Sequence, residues 1–239
     1  MEVESKINQR IKLKICGLRR IEDIHIVNQY MPDYVGFIIN FPKSFRSLTP
    51  EEVKNLSCKL NPEIVSVGVF VNEPLENVIS LLENGMIDMA QLHGNESEYY
   101  IRKVKEETGK PVVKAFLVQN TEDLRPALDS PADYILLDAG RGGGKAFDWE
   151  ILHSKRIERP FFLAGGLSPE NMEEALEKVQ PYAVDMSSGV ETDRWKNKAK
   201  IQKVKDILNK FNESQLKRRE NRCQEVDLAD MGDSIFQRR

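Results

Sequence analysis

Eight short apolar runs, each followed by a polar stretch, constrain the fold of this chain more than any other feature. The runs are IKLKI (11–15), YVGFII (34–39), IVSVGVFV (64–71), MIDMAQL (86–92), VVKAF (112–116), YILLD (134–138), FFLAG (161–165) and AVDMS (183–187). Between them lie helix-length amphipathic segments such as LRRIEDIHIVNQY (18–30), PLENVISLLENG (74–85), ESEYYIRKVKEETG (96–109) and SPENMEEALEKV (168–179). Gly85 and Gly109 read as helix ends, and Ser168-Pro169-Glu170 as N-cap, N1 and N2. Strands that alternate with helices build βαβ units, and the sheet they make is parallel. FFLAG and YILLD are continuously apolar, as strands covered on both faces are. Eight such units in 239 residues predict an α/β fold, a closed (β/α)8 TIM barrel with eight parallel strands inside a ring of helices. An open doubly wound sheet is the competitor, but its glycine-rich turn follows the first strand. Here the glycine-rich turns follow strands six, seven and eight.

Composition narrows the function classes. The formal net charge is −3, without the sign asymmetry that would suggest a nucleic-acid partner. No apolar run is long enough to span a membrane, and the N-terminal MEVESKINQRIKLKIC lacks an apolar signal core. The cysteines are Cys16, Cys58 and Cys223; odd in number and far apart, they fit neither a disulfide framework nor a zinc site. A reducing, cytoplasmic setting and a site without metal are therefore expected. After a last helix from about Arg194 to Phe211, the segment 212–239 carries six basic and six acidic residues with little periodicity. The expected organisation is a catalytic barrel over 1–211 and a polar, partly disordered tail over 212–239. The sequence leaves monomer and homodimer both open.

Barrels of this kind place their active sites at the C-terminal ends of the strands. Gly165-Gly166 and Ser188-Gly189 close strands seven and eight, where loop amides commonly hold a phosphate and glycine admits the anion to the backbone. Asp185, Ser187 and Ser188 stand in the same turn. Cys16 ends strand one and Asp138 ends strand six, so a thiol and a carboxyl share one rim. Such a pair suits proton transfer, one group taking a proton while the other gives one. Cys16 serves as a base only as thiolate, which calls for a lowered pKa, with Lys14 as the nearby cation. Arg46, after strand two, is a candidate clamp for a carboxylate. His93, after strand four, is read as a hydrogen-bonding group beside the site, because no other His or Cys lies at metal spacing.

Seven blocks carry a likeness: KICG (14–17), GF followed by PKSFR (36–46), VGVFVN (67–72), QLHG (91–94), LLD then GGGKAFDW (136–149), LAGGLSPEN (163–171) and VDMSSGVE (184–191). Together, in this order, they resemble the phosphoribosylanthranilate isomerases, from about Lys12 to Phe211. The resemblance implies a (β/α)8 barrel that uses no cofactor and acts on a small phosphosugar. The implied reaction is the Amadori rearrangement of tryptophan biosynthesis, with Cys16 as general base and Asp138 as general acid. It further implies that Arg46 holds the anthranilate carboxylate and that the turns at Gly165-Gly166 and Ser188-Gly189 hold the phosphate. Two stretches depart from the family pattern. Arg141-Gly142-Gly143-Gly144 replaces a Gly-Gly-Thr/Ser-Gly loop, and in TDRWKNKAK Trp195 and Asn197 stand where a Gly and an Asp are expected. A related histidine-pathway isomerase is the enzymatic alternative, with an aspartate expected at the position of Cys16. A barrel that has lost activity and serves as a scaffold is the non-enzymatic one.

Overall fold

Each apolar run forms a strand, and the strands close into a ring. The computed structural model describes residues 10–140, 150–153 and 157–236. The barrel strands are β1 (Lys12–Cys16), β2 (Tyr34–Ile39), β3 (Val65–Phe70), β4 (Met89–Leu92), β5 (Val112–Leu117), β6 (Tyr134–Asp138), β7 (Phe161–Ala164) and β8 (Ala183–Met186). They are followed in turn by α1 (Ile21–Tyr30), α2 (Pro50–Ser57), α3 (Leu75–Glu83), α4 (Glu98–Thr108), α5 (Leu124–Asp129), α6 (Glu150–His153), α7 (Met172–Val179) and α8 (Lys198–Phe236). Every neighbouring pair is parallel. The register Lys14↔Asp185 joins β8 back to β1 and completes the closure. A two-residue strand, Ser47–Leu48, pairs in parallel beside the end of β2, and after β8 a small hairpin pairs Glu191–Thr192 with Trp195–Lys196.

Period-two alternation sends side chains to two separate cores. One face of each strand packs outward against the helices, with Ile15, Phe37, Leu92 and Leu163 in one continuous cluster with Ile24 and Val27 of α1, Ile101 and Val104 of α4, and Ile201 and Val204 of α8. The other face fills the barrel with Val67, Met89, Val113, Leu136 and Phe162. At the N-terminal end, Tyr34, Tyr134 and Tyr182 surround the Phe162 ring at centroid distances of 5.3, 5.8 and 5.7 Å. The Lys12 ammonium lies over the Tyr182 ring and donates to its hydroxyl at 2.6 Å. This aromatic floor seals one end of the barrel, and the chemistry is left to the other.

Helix boundaries follow local capping chemistry, with two corrections to the sequence reading. Gly109, in the left-handed region at φ 63°, does cap α4. Ser168 caps nothing: α7 starts at Met172 with Asn171 as its N-cap, while the Ser168 hydroxyl accepts the Glu170 N–H at 3.3 Å within the preceding turn. The last helix does not stop near Phe211 but runs on to Phe236, so residues 212–236 are helical rather than an irregular tail. That segment has no apolar stripe, but it is rich in Glu, Gln, Leu, Lys and Arg, which favour the helix intrinsically. Asn212 pins this helix to the start of β1, donating to the Ile11 carbonyl at 3.0 Å and accepting its N–H at 2.9 Å. Among the described residues no helix is long and apolar enough to cross a membrane.

Candidate active site

Cys16 lies at the end of β1 with its side chain turned into the barrel. Its Cα partner is Gly36, and a Cβ built on Gly36 would stand 2.7 Å from the Cys16 sulfur and 3.2 Å from Lys14 Nζ. Glycine at 36 is thus what allows thiol and ammonium to share one spot. Lys14 is 1% exposed and donates to Asp185 Oδ2 at 2.8 Å across the β1–β8 seam. Asp185 Oδ1 is buried without a partner among the described residues. Burial pushes the Cys16 thiol up; the Lys14 and Lys196 ammoniums pull it down, Asp185 adds to the rise, and the net shift is upward. The lowering expected from Lys14 is present but is outweighed by desolvation. Burial also pulls Lys14 down, but Asp185 and Cys16 more than offset it, and its pKa ends above the ordinary lysine value.

Arg46 reaches over Gly17 toward the same place; a Cβ on Gly17 would stand 2.5 Å from Arg46 Cδ and 3.3 Å from Ser187 Oγ. Its guanidinium is not a solvated loop group. It grips Glu191 with two parallel bonds, Nε to Oε1 at 2.8 Å and Nη2 to Oε2 at 2.5 Å. Glu191 Oε1 also accepts Lys196 Nζ at 2.7 Å, and Lys196 donates to the Ser187 carbonyl at 3.2 Å. Burial raises the Glu191 carboxyl, but the bonds and charges of Arg46 and Lys196 bring it below the usual carboxylate range. Arg46, Glu191 and Lys196 thereby fasten the β2 and β8 loops together beside the thiol.

Asp138 ends β6. Leu136 belongs to the inner core, so Asp138, two residues on, faces inward as well. Its Oδ1 accepts the Gly140 N–H at 2.8 Å, and its Oδ2 stands 3.7 Å from His93 Nε2. Gln91, buried on β4, places Nε2 3.0 Å from His93 Nδ1. That contact holds the ring with Nε2 turned toward Asp138. A cavity of about 750 Å³ opens here, lined among others by Asn72, His93, Glu96, Lys114, Leu117 and Asp138. Its wall is tied down by Glu96, which accepts the Asn72 N–H at 2.8 Å, the Gly94 N–H at 3.0 Å and Lys114 Nζ at 3.0 Å.

The glycines of the β7 and β8 turns divide by cause. Gly165 has φ 96°, and a Cβ there would lie 2.6 Å from both Asp138 Oδ1 and the Ala139 nitrogen. Its smallness makes room for the carboxyl. A Cβ on Gly189 would overlap the Leu167 carbonyl, so that glycine lets the β7 and β8 loops touch. Gly166, at φ 64°, has open space where a Cβ would stand, leaving its backbone approachable. Ser187 and Ser188 continue from β8 into a short 3-10 turn, Ser188–Val190. The departure noted after Glu191 has a different register from the one expected: the left-handed residues are Asp193 (φ 50°) and Arg194 (φ 67°), not Trp195. Asn197 does the work of a capping Asp, its Oδ1 accepting the Lys200 N–H at 3.0 Å. The variant loop 141–144, and Lys145 after it, lie outside the described residues.

Sequence reasoning missed Glu191, Lys196 and Gln91. Gln91 could have been found from parity, since it stands two residues after the inward Met89 on a short strand. The partners of Glu191 could not, because its arginine is 145 positions away.

Comparison with known proteins bears directly on this geometry. Residues 13–206 match the family model described as N-(5'phosphoribosyl)anthranilate (PRA) isomerase. An N-(5'-phosphoribosyl)anthranilate isomerase of Thermoanaerobacter sp. (strain X514) is 43% identical over 206 residues, spanning 82% of this chain and 99% of that relative. A phosphoribosyl anthranilate isomerase structure from Thermotoga maritima superposes with a TM-score of 0.76 at 36% identity, over 83% of this chain and 98% of that one. A crystal structure of the same activity, in complex with reduced 1-(o-carboxyphenylamino)-1-deoxyribulose 5-phosphate, gives 0.75 at 36% identity with the same coverage. The chain therefore belongs to the N-(5'-phosphoribosyl)anthranilate isomerase family.

Proposed function

We infer that the chain converts N-(5-phosphoribosyl)anthranilate into 1-(2-carboxyphenylamino)-1-deoxyribulose 5-phosphate, the Amadori rearrangement of tryptophan biosynthesis. The observation that carries the residue assignment is the common inward direction of Cys16 and Asp138 at the C-terminal rim of one closed barrel. Asp138 protonates the ring oxygen of the sugar, and the ring opens to a Schiff base. The cationic nitrogen acidifies the neighbouring C2 proton. Cys16, as thiolate, removes that proton, and the enolamine tautomerises to the ketone. Each transfer contributes roughly 100- to 10,000-fold.

Binding the two anionic ends supplies orientation. Arg46 takes the anthranilate carboxylate, for which Glu191 must give up or share the guanidinium fork. The open backbone at Gly166, together with the Ser187-Ser188-Gly189 turn, takes the phosphate. Asp185, His93 and Gly165 complete the surroundings of the sugar. The test is to supply N-(5-phosphoribosyl)anthranilate to the purified chain and follow its fluorescence, with Cys16→Ser beside it. Consumption by the wild type and none by the variant is expected. A wild-type chain that leaves the substrate intact removes the functional reading, and an active Cys16→Ser removes the assignment of the base.

A further inference from the structure

Lys196 has no part in the steps above, yet it is among the most deeply buried charged groups at the mouth, with its side chain 1% exposed. The bland explanation is that it neutralises Glu191. Its position argues for more: Lys196 Nζ donates to the Ser187 carbonyl at 3.2 Å, and Ser187 Oγ borders Gly17, the residue next to Cys16. Lys14 and Asp185 cancel one another across the β1–β8 seam. Arg46, Glu191 and Lys196 together leave one positive charge over. That surplus lies beside Gly17 and Ser187, next to Cys16, whose thiolate is an anion that can meet it, as the substrate carboxylate on Arg46 is another.

Among the described residues, three charged groups act on the sulfur from three elements. Lys14 approaches along β1, Asp185 from β8 and Lys196 from the Glu191–Lys196 hairpin. Arg46 and Glu191 stand behind Lys196 and modulate it from opposite directions: burial pulls the Lys196 ammonium down, Glu191 and Cys16 raise it, and Arg46 lowers it further. The Ser187 carbonyl fixes where the ammonium sits. We propose that Lys196 is a positioning residue for the Cys16 base: its ammonium is the second cation that holds the thiolate, and Glu191, shared with Arg46, sets how much of that charge the sulfur feels. The proposal rests on Cys16 being the base. It adds a link between the carboxylate-binding arginine and the proton-abstracting sulfur.

The experiment reads the thiol directly. Iodoacetamide alkylation of the whole chain is timed across pH, with the Cys16 peptide quantified by mass spectrometry so that exposed Cys58 does not interfere. Lys196→Met should move the midpoint upward by about one pH unit or more, the size expected for the loss of a neighbouring buried charge. Glu191→Gln, which strips Lys196 of its counter-charge, should move it downward by about half a unit. Lys196→Arg keeps the charge and should stay near the wild type. The acid limb of kcat/KM should follow each shift. A purely structural role would move both variants the same way or neither. Overturning results are a midpoint that stays put in Lys196→Met or Glu191→Gln, or one that shifts in the same direction in both. If Lys196→Met fails to fold, the downward shift in Glu191→Gln decides alone. Full turnover in Cys16→Ala would instead sink the assignment of the base while leaving these midpoints as they are.

Discussion

On the β1–β2–β8 side of the mouth, charged groups are buried and shared: Lys14 with Asp185, Arg46 with Glu191, and Glu191 again with Lys196. On the β4–β6 side, His93 and Asp138 keep side-chain exposures of 37% and 27% and border an open cavity. A thiol asked to lose its proton in a dry place needs cations around it, and cations in a dry place need carboxylates in turn. A carboxyl asked to hand a proton to a sugar oxygen has to reach the substrate and be recharged from water. On the proposed assignment, the base is therefore built into the barrel wall, and the acid stands at the open cavity.

Removing the two groups proposed to react should break both sides equally. Cys16→Ala and Asp138→Ala are each expected to lower kcat roughly 100- to 10,000-fold, with thermal unfolding close to the wild type. The pH profile should separate the sides. Burial holds the thiol above its ordinary value, and the base works only deprotonated. Hence kcat/KM should climb as pH rises through a range more alkaline than a free cysteine titrates. An acid limb below that range would break the comparison, because it would mean that the cations win over desolvation.

Stability should divide the mouth more sharply than activity does. Lys14→Met leaves Asp185 buried with neither oxygen paired, a change expected to cost about 3–5 kcal/mol by urea unfolding. His93→Ala removes a part-exposed ring but leaves the buried Gln91 amide without its partner, and should cost about 1–2 kcal/mol while slowing turnover. Equal losses of stability in the two variants would show that the acid side is as tightly built as the base side.

The β7 turn gives a finer contrast between neighbouring glycines. Gly165→Ala drives a methyl group into Asp138 and the Ala139 nitrogen, so both stability and turnover should fall. Gly166→Ala meets no neighbour and bears only the left-handed backbone penalty of about 1–2 kcal/mol. Thermal melts and steady-state rates on the pair measure the difference.

Most of the barrel was legible in the sequence because a strand covered on both faces writes itself as an uninterrupted apolar run, and YILLD and FFLAG became β6 and β7 within a residue. The placement of the thiol and the carboxyl at strand ends was legible because strand ends are countable. What encloses them was not. Lys14 and Asp185 are 171 positions apart, and only closure of the barrel makes them neighbours. The helix beyond Phe211 was missed for another reason: its residues favour the helix one by one but draw no apolar stripe, and periodicity was the signal being read.

The smallest expected effect lies at Asn197, where the family resemblance leads to an expected aspartate. The hairpin that carries Glu191 and Lys196 is held at its end by Asn197, which caps α8 through Lys200 N and donates to Thr192 Oγ1 at 3.0 Å. Asn197→Ala should cost about 1 kcal/mol as a lost N-cap. Asn197→Asp restores an anionic cap beside the positive helix end and should gain up to about 0.5 kcal/mol. If the base side depends on a rigid hairpin, Asn197→Ala should also slow turnover severalfold, though Asn197 lies outside the set of groups assigned to the reaction. If turnover is unchanged while the melt shifts, the packing of Lys196 between Glu191 and the Ser187 carbonyl is enough by itself to hold the ammonium in place.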